Sequence, residues 1–592
     1  MSAEALGLYR IIFAGLLIVA VARNRLPSQA FPQELHSHAG GVADWQIFHW
    51  LASRPDLATH LEQVLLTALL LFGIGFLTRL SLAVVVAGMV IWVLVRLEHS
   101  GVHNWAIMLP AVIGILPVGW GDAFSVDETI RRWRGRETSG GRHGRHYGFG
   151  IWLPGFVLGL GFAAAALAKL RQSGIGWILT GAVRYHFVTD ARNAPVQWGM
   201  WVASHYSVAV ALSFLAIFIE STVILGSFVH RPAVRAVFAC EALLMLSGFY
   251  VFQGEFWIAW WVLAASFLPW GGIFDGLASR LPSLVALVDG QCPLCRRTAR
   301  VLNGVDWFNR IAFLDVNDPA VRVLFAPSTP LEHLLRDIQV ADRGGERIRT
   351  GYRGYLALAR AIPLMWPLAA FAMLPPVASL GDRLYGRVAR TRFRHAPCDD
   401  ASCRVGMEVM NGLPRVSQAR EVAGSMPSPR PAQLVVIGCV CLVQVIASVL
   451  RVEIQPWMSD YPMYAATYAS TEEFDRLNQI KRIYHFRRDP DVGVPEDISK
   501  AMDDIPEADV VVIAAVSALV DKGSLPPEQK ERVRAIAEEF EKQMARPLGR
   551  VTLLMDEEAF NWKRGRFYWK KVGTRIGTLD TDALTLLRSG DE

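Results

Sequence analysis

Long apolar runs separated by short polar segments fill most of the first 275 residues and indicate helices that cross a membrane. Residues 149–168 and 433–450 carry no charged side chain. A helix rises about 1.5 Å per residue, so about 20 apolar residues span a bilayer. We therefore predict eight spans before residue 275 and a ninth at 433–450. The other predicted spans are residues 5–22, 60–77, 80–96, 104–119, 205–227, 236–252 and 255–273.

The arginines between these runs predict how the chain is oriented. Residues 131–146 contain six Arg and one Glu, and cytoplasmic loops of membrane proteins are enriched in Lys and Arg. With this loop in the cytoplasm, the segment 275–430 also lies there. The loop 169–204 and residues 451–592 then lie outside. We expect a multi-pass protein of the inner or cytoplasmic (plasma) membrane.

The pattern changes after residue 283, where short apolar strands alternate with helical stretches. LVALVD at 284–289 and IAFLDV at 311–316 are typical of buried strands. The predicted fold class is a polytopic α-helical membrane bundle with a small α/β domain and a mixed α/β C-terminal domain. The predicted parts are a bundle at 1–275, an α/β domain at 283–397, a linker at 398–432, a membrane helix at 433–450 and an extracytoplasmic domain at 451–592.

The composition is that of a membrane protein, and it also indicates which kinds of partner to expect. The chain has 592 residues, of which 52% are hydrophobic and only 19% charged, with a net charge of +6. This mild charge, without a long basic tract, argues against a nucleic-acid partner, so the lipid bilayer is the expected one. Seven cysteines in this length exclude a disulfide scaffold.

Two of these cysteines, Cys292 and Cys295, form a C-x-x-C motif at the first strand-to-helix turn of the α/β domain. The partial positive charge of a helix N-terminus stabilises a thiolate, which is the attacking species in disulfide exchange. We predict that Cys292 attacks and Cys295 resolves. Asp289 begins the turn between strand and helix. The expected substrate is a protein or a small thiol or disulfide.

A metal site is the alternative for the same cysteines. Structural zinc sites usually take four Cys or His ligands, and Cys398, Cys403 and His395 could complete one. Cys398 and Cys403 could instead form a second redox pair, and the C-x-x-C could be inert. Two cysteines that follow a strand and open a helix favour redox chemistry, so we predict no metal.

The sequence D-G-x-C-P-x-C, here Asp289 to Cys295, resembles the signature of the DCC (DUF393) thiol-disulfide oxidoreductase-like proteins. The resemblance continues through DVNDP at 315–319, GYRGYLALARAI at 351–362 and DRLYGRVARTRFRH at 382–395. It implies a thioredoxin-like fold for the α/β domain, with Pro330 as the candidate for the proline that faces the cysteines.

Ionisable residues near the ends of the predicted spans are candidates for a second site. Lys169 follows twenty uncharged residues, and ionisable groups inside a membrane are costly and often functional. Taken singly, each is more easily explained as an interface residue or as a lysine that extends to the headgroups. The predicted outer cluster comprises Arg96, Glu98, His99, His103, Lys169, Arg184, His186 and His205, with Glu220, Glu241 and Glu255 as further candidates.

The first 273 residues resemble the HTTM membrane domain that is shared with vitamin K-dependent γ-carboxylases. The matching stretches are GLYRIIFAGLLI, HNWAIMLPAVIGILPVGWGDAFSVD and AALAKLRQSGIGWILTGAVRYHF. The resemblance implies that Lys169 is the base that deprotonates a reduced, vitamin K-like quinone and that His103 supports it. Glu98, His99 and His205 are then the candidates for binding the quinone.

Three functions follow from these observations. The first is an enzyme, a membrane-bound thiol-disulfide oxidoreductase coupled to quinone chemistry in the bundle. The second is a γ-carboxylase-like membrane enzyme with Lys169 as its catalytic lysine. The third is a lipid- or quinone-binding or transport bundle with a redox sensor, although the sequence has no paired broken helices of the transporter kind.

Overall fold

The computed structural model describes the chain in segments. These are residues 2–26, 45–100, 105, 107–134, 145–190, 194–229, 231–325, 329–342, 348–391, 431–450, 464–477, 481–488, 496–497, 512, 515–516, 518–520, 524–525, 527–544, 548–581 and 583–588. The predicted linker at 398–432 lies almost wholly outside them.

The described part of the membrane half is helical. Its helices are α1 Ala3–Arg23, α2 Gln46–Ala52, α3 Pro55–Ile74, α4 Thr78–Ser100, α5 Met108–Gly114, α6 Val126–Trp133, α7 Arg145–Ser173, α8 Gly176–Leu179, α9 Val183–Asp190, α10 Trp198–Ser204, α11 Tyr206–Thr222, α12 Pro232–Gly248, α13 Ile258–Ala264 and α14 Trp270–Ser279. Short 3₁₀ turns follow α11 and α13, and a π-helical turn follows α12.

Six described helices are long and apolar enough to cross a membrane, or up to eight if two bent pairs each count as one span. This confirms a membrane-type chain with several apolar helices. The predicted span 255–273 is one of the bent pairs, because a break of 70° separates Ile258–Phe267 from Trp270–Ser279. The six are Ala3–Arg23, Pro55–Ile74, Thr78–Arg96, Tyr147–Ser173, Tyr206–Ser227 and Ala233–Gln253.

The predicted full-length helix at 104–119 is wrong. Among the described residues of this range, Met108–Gly114 form the α-helix. It does not continue to residue 119, because Pro117 lacks an N–H and disfavours helical backbone in the residue before it. The segment nevertheless packs along α3 and α4. Trp105 packs on Trp92 late in α4, with ring centroids 4.8 Å apart, and Trp120 packs on Phe72 at the end of α3, 5.6 Å away.

A buried arginine fixes one end of the bundle. Arg10 of α1 is fully buried, and its guanidinium donates hydrogen bonds to the carbonyls of Gly73, Trp120, Ala123 and Phe124. A buried charge is tolerated only where its donors are satisfied. Arg10 therefore ties together α1, the end of α3 and the turn that leads into α6.

The small α/β domain contains a four-stranded sheet in the order β2-β1-β3-β4. Strand β1 pairs parallel with β2 and antiparallel with β3, and β3 pairs antiparallel with β4. The two predicted strands are confirmed. The elements are β1 Leu284–Val288, α15 Pro293–Val305, β2 Ile311–Asp315, α16 Pro319–Phe325, α17 Leu331–Arg336, β3 Gln339–Asp342, β4 Ile348–Thr350, α18 Gly351–Ala361, α19 Trp366–Ala372 and α20 Pro375–Thr391, with a 3₁₀ turn at Pro363–Met365.

Two apolar layers cover this sheet. On one face, Ala286 and Val340 pack with Leu302 of α15 and Leu358 of α18. On the other face, Val285, Leu314, Val321 and Leu334 pack together and bring in α16 and α17. Both strands of the parallel pair are buried along their whole length, which explains their unbroken apolar sequences.

The remaining described residues form several helices and a second sheet. Helix α21, Pro431–Leu450, covers the predicted ninth span; that it crosses the membrane stays a prediction. The C-terminal sheet is antiparallel, in the order β6-β5-β7-β8-β9. The elements are α22 Thr471–Leu477, β5 Lys481–Arg488, β6 Glu496–Asp497, α23 Pro527–Met544, β7 Arg550–Asn561, β8 Arg566–Asp580 and β9 Thr585–Arg588.

Candidate active site

The C-x-x-C motif lies where β1 leads into α15. Cys292 is the N-cap residue of α15, and its Sγ accepts the backbone N–H of Cys295 at 3.4 Å. Pro293 occupies the first helical position, where its missing N–H costs nothing. Both cysteines are present as thiols. The predicted placement at the first strand-to-helix turn is therefore correct.

A hydrogen-bond network holds the turn before the cysteines. The N–H of Gly290 donates to Asp315 Oδ1 at 2.9 Å. The side-chain amide of Asn317 donates to Asp289 Oδ1 at 3.1 Å and to Asp315 Oδ1 at 2.8 Å. Both carboxylates are buried, and a Cβ on Gly290 would overlap the carboxylate of Asp315. The neighbouring ends of β1 and β2 thus need Asp, Gly and Asn together.

The two thiols differ in exposure. Cys292 is 0% exposed, whereas Cys295 is partly exposed. The predicted order, in which Cys292 attacks first, therefore requires a movement that uncovers its sulfur. That order stays a prediction, as does the predicted catalytic role of Asp289.

The alternatives for these cysteines are only partly described. Among the described residues, no group of three or more His, Cys, Asp or Glu side chains could hold a metal ion. The residues that could complete a zinc site, Cys398, Cys403 and His395, lie outside the described part. Pro330 is the N-cap residue of α17, and its predicted position facing the cysteines stays a prediction.

A second candidate site lies in the membrane half, around a buried ion pair. Lys169, near the end of α7, places its Nζ 2.8 Å and 3.0 Å from the two carboxylate oxygens of Glu220 on α11. Their side chains are 5% and 1% exposed. The ammonium also lies 5.5 Å from the centre of the Trp177 ring. Sequence reasoning had singled out both ionisable residues but not their pairing.

This ion pair borders a cavity of about 300 Å³. Most of its lining is apolar or aromatic, and Gln253 and His186 are among its few polar groups. Burial, and then the charge of Lys169, lowers the pKa of His186 to about 4. His186 is therefore neutral at pH 7, so it adds no second positive charge beside Lys169.

A segment of the C-terminal region closes one side of the cavity. We call residues 464–467 the tail strap. Tyr464 lines the cavity, and its backbone is left-handed, with φ of 61°. The strap carbonyls accept hydrogen bonds from Ser173 Oγ at 2.7 Å and from Trp177 Nε1 at 2.9 Å, and His186 Nε2 lies 3.0 Å from the Ala466 oxygen. Nothing in the sequence pattern pointed to this contact, which spans about 290 residues of chain.

His205, another predicted residue of the outer cluster, is not brought to this ion pair. His205 is exposed, with its ring stacked on Trp201 at 4.5 Å, and it is not among the described residues that line the cavity. Glu98 and His99 belong to α4, but their side chains lie outside the described part, as does all of His103. Their roles toward a quinone stay predictions.

Comparison with known protein families identifies the α/β domain. The family model of the DCC1-like thiol-disulfide oxidoreductases matches residues 286–396. These residues form a DCC1-like domain. The match begins within β1 and includes Cys292, Cys295 and the Asp315–Asn317 turn. No curated protein matches the chain, and no solved structure matches it either.

The DCC1-like domain docks on the bundle through the far end of the helix that carries its cysteines. Arg132 of α6 donates to the carbonyls of Asn303 at 2.9 Å and Asp306 at 3.1 Å, and Thr129 Oγ1 donates to that of Gly304 at 3.1 Å. These carbonyls end α15, so α6 supplies the donors that a helix C-terminus lacks. Arg132 is itself paired with Glu128.

Lys169 and the segment on which the DCC1-like domain docks lie toward opposite ends of α7. Near its start, Tyr147 donates to Asp122 at 3.0 Å, in the segment that leads to α6 and the DCC1-like domain. At its end, Ser173 contacts the tail strap. The 29 residues of α7 extend over roughly 40 Å at 1.5 Å per residue. Direct contact between the cysteines and Lys169 is therefore excluded in this arrangement.

Proposed function

We propose that the chain is a membrane-bound thiol-disulfide oxidoreductase whose redox pair is Cys292 and Cys295. The observation that carries the proposal is the pair itself, set at the N-terminus of α15 within the matching domain, with a backbone N–H directed at Cys292 Sγ. Hydrogen bonds from backbone N–H groups and a helix N-terminus both favour a negatively charged acceptor.

The proposed reaction transfers two electrons from the cysteine pair to a substrate disulfide. The thiolate of Cys292 attacks one sulfur of the substrate; the S–S bond breaks, and the other sulfur leaves and takes up a proton. Cys295 then loses its proton and attacks the mixed disulfide. This step closes the Cys292–Cys295 bond and releases the substrate as a dithiol. The reverse sequence oxidises a dithiol.

We further propose that the DCC1-like domain has a thioredoxin-like fold. The order β2-β1-β3-β4 supports it, with a parallel pair joined through α15 and an antiparallel hairpin following. The position of the cysteines at the first strand-to-helix turn supports it as well. In such a fold the cysteines lie at the carboxyl end of a central strand, where loops leave room for a substrate.

We propose that the DCC1-like domain lies in the cytoplasm and the C-terminal domain outside. The support is the basic loop at 131–146, since α6, which begins that loop, is also the helix on which the domain docks. The tail strap contacts the opposite end of α7. Cytoplasmic segments of membrane proteins are enriched in arginine.

Differential alkylation in cells tests these proposals together. Cells that express the full chain are treated with a membrane-impermeant maleimide before or after lysis, with and without reductant, and the cysteines are mapped by mass spectrometry. We expect Cys292 and Cys295 to be shielded until lysis and to alternate between dithiol and disulfide. Cys240, on the membrane helix α12, is the control that should not change with redox conditions. Alkylation only after metal chelation would replace the redox proposal with a zinc site.

We propose a second function for the cavity beside Lys169: binding of a quinone. The buried ion pair supports it, because a charged pair at the wall of an apolar cavity offers a polar contact for a quinone oxygen while the walls hold the ring. A bound quinone would supply a two-electron couple. Lys169 would donate to its oxygen or take up its proton, as the HTTM resemblance implies, and Glu220 would hold the ammonium in place.

Quinone binding is testable without an enzymatic assay. The purified protein is titrated with menadione while tryptophan fluorescence is followed, since Trp177 and Trp198 line the cavity. We expect saturable quenching that Lys169→Met weakens at least about tenfold, the order of one lost charged hydrogen bond. Equal affinity in the variant would remove Lys169 from the proposal. Because Lys169 and the cysteines are not in contact, electrons could pass between the two sites only on a quinone that diffuses in the bilayer.

A further inference from the structure

The DCC1-like domain exposes large apolar side chains that its own core does not use. They lie on α19 and α20 and on the turns beside them, and we call residues 364–388 the apolar surface. The side chains of Trp366, Phe371, Leu380 and Leu384 are 52%, 60%, 57% and 52% exposed. Soluble monomers rarely expose a contiguous apolar patch of this kind, and such patches mark contacts with a partner or a membrane.

The spacing of these residues makes the surface continuous. On α20, Leu380, Leu384 and Val388 follow one another at intervals of four, so they form one stripe along the helix. Leu364, Leu368 and Phe371 lie at intervals of four and three and form a second stripe, on α19 and the turn before it. An amphipathic helix in water would normally turn such a stripe inward.

Arginines border the stripe on α20. Arg383, Arg387 and Arg390 are all exposed, and their intervals of four and three give a basic stripe directly beside the apolar one. Apolar and basic stripes side by side are the pattern of helices that lie in the headgroup region of a membrane with anionic lipids. A protein partner would not by itself explain this combination.

The apolar surface is on the same side of the sheet as α15, the helix that docks on the bundle. Helices α15 and α18 and the ring of Tyr385 on α20 cover the same face of the sheet, and α15 docks on α6 of the bundle. Helices α16 and α17 cover the other face. The surface therefore belongs to the layer of the domain that reaches the bundle and not to the opposite layer.

The same segment is not a further membrane span. Gly351–Ala361 and Pro363–Ala372 together are apolar enough to be one, but they are bent by 117°. The first of the two helices is also committed to the domain core, because Ala357, Leu358 and Ala361 are buried there. Of these two helices, the second exposes its apolar side chains, as α20 does, and is available to lipid.

We infer that the apolar surface lies on the bilayer, with Trp366 and Phe371 at the boundary between headgroups and acyl chains and with the three arginines on anionic headgroups. This contact and the docking on α6 hold the DCC1-like domain at two points. The domain is thereby kept against the membrane surface and does not swing freely at the end of the bundle. The inference does not depend on the redox chemistry of Cys292 and Cys295.

Lipid photolabelling of the full chain in vesicles tests the contact. The vesicles contain a phospholipid with a diazirine in its acyl chain, and labelled peptides are mapped by mass spectrometry. We expect residues 364–388 to be labelled several-fold more than α16, which carries Val323. That side chain is 71% exposed on the opposite face of the sheet, so it is a matched control. The spanning helix Tyr206–Ser227 is the positive control.

Labelling of residues 364–388 no greater than that of α16 would overturn the inference. So would a protein cross-linker that joins residues 364–388 to a second copy of the chain in place of lipid. The substitution Phe371→Ser should lower labelling of α19 at least about twofold without unfolding the domain, since the side chain is exposed.

The arginines provide a second test. In vesicles rich in phosphatidylglycerol, the triple substitution R383Q/R387Q/R390Q should lower labelling of the apolar surface at least about twofold. In vesicles of phosphatidylcholine alone, the variant and the wild type should be labelled equally. If labelling of the variant equals that of the wild type in both lipids, or falls equally in both, the contact of the arginines with anionic headgroups is overturned.

Discussion

The two candidate sites of this chain are built in opposite ways. The hydrogen bonds described around the cysteine pair join residues of one stretch, between Asp289 at the end of β1 and Asn317 just after β2. The site around Lys169 takes Glu220 from another helix and Tyr464 from the C-terminal region. A site of the first kind is visible as a motif, whereas one of the second kind exists only after the chain has folded.

The largest effect should come from a substitution in the cysteine pair, measured as loss of disulfide exchange. Cys292→Ser should abolish disulfide exchange by the purified protein, a loss of at least about a hundredfold, because no thiolate is left at the helix N-terminus. Insulin reduction in detergent measures it. Cys439→Ser, on α21, is the control and should retain activity.

The order of attack can be decided with the same assay. If Cys292 attacks first, Cys295→Ser should accumulate a mixed disulfide with substrate, visible as a mass increase. If the more exposed Cys295 attacks first, the mixed disulfide should instead accumulate in Cys292→Ser. The second result would contradict the predicted order while leaving the redox pair in place.

Substitutions at the site around Lys169 should change the free energy of unfolding. Lys169→Met leaves the carboxylate of Glu220 buried without its partner, which typically costs roughly 3–5 kcal/mol. The double variant Lys169→Met/Glu220→Leu removes both charges and should recover most of that loss. Denaturant unfolding in detergent measures both. If the double variant is as unstable as the sum of the two single variants, the pair is not the coupled unit that the 2.8 Å distance indicates.

A glycine tests how tightly the local site is built. Gly290→Ala would drive a Cβ into the Asp315 carboxylate, so we expect a loss of roughly 1–3 kcal/mol in the unfolding free energy of the DCC1-like domain. Disulfide exchange should fall with it. Gly386→Ala on α20 is the matched control, since its Cβ would meet nothing within 4 Å; helix propensity should then raise stability slightly. Equal effects of the two substitutions would show that the turn is more adaptable than the hydrogen bonds suggest.

The sequence predicts a site well when its residues are close together in the chain, and poorly when folding brings them from distant parts. The apolar strand before Asp289 and the spacing of Cys292 and Cys295 are local, and the structure has the turn where they indicated it. The helix predicted at 104–119 failed because proline chemistry at Pro117 outweighs apolarity. The contact of Tyr464 with the cavity has no sequence period to reveal it, since tertiary packing alone brings the tail strap there.

The smallest predicted effect concerns the contact between the DCC1-like domain and the membrane bundle. Asp306, at the end of α15, accepts the N–H of Ile311 at 2.8 Å, yet burial raises the pKa of its carboxyl to about 6. The native state therefore binds this proton more tightly than the unfolded state, in which the carboxyl has an ordinary pKa near 4. The contribution to stability is complete below pH 4 and is lost as the pH rises toward 6.

Asp306→Asn keeps an acceptor for the Ile311 N–H but has no charge to bury. We expect the variant to be more stable than the wild type at pH 7, by of order 1 kcal/mol, and to lose this advantage at pH 4. Thermal unfolding at both pH values measures it. A wild-type advantage at pH 7 would mean that the negative charge of Asp306 is needed beside Arg132, so that the docking of the DCC1-like domain on the bundle depends on an ion pair and not on the helix-end carbonyls alone.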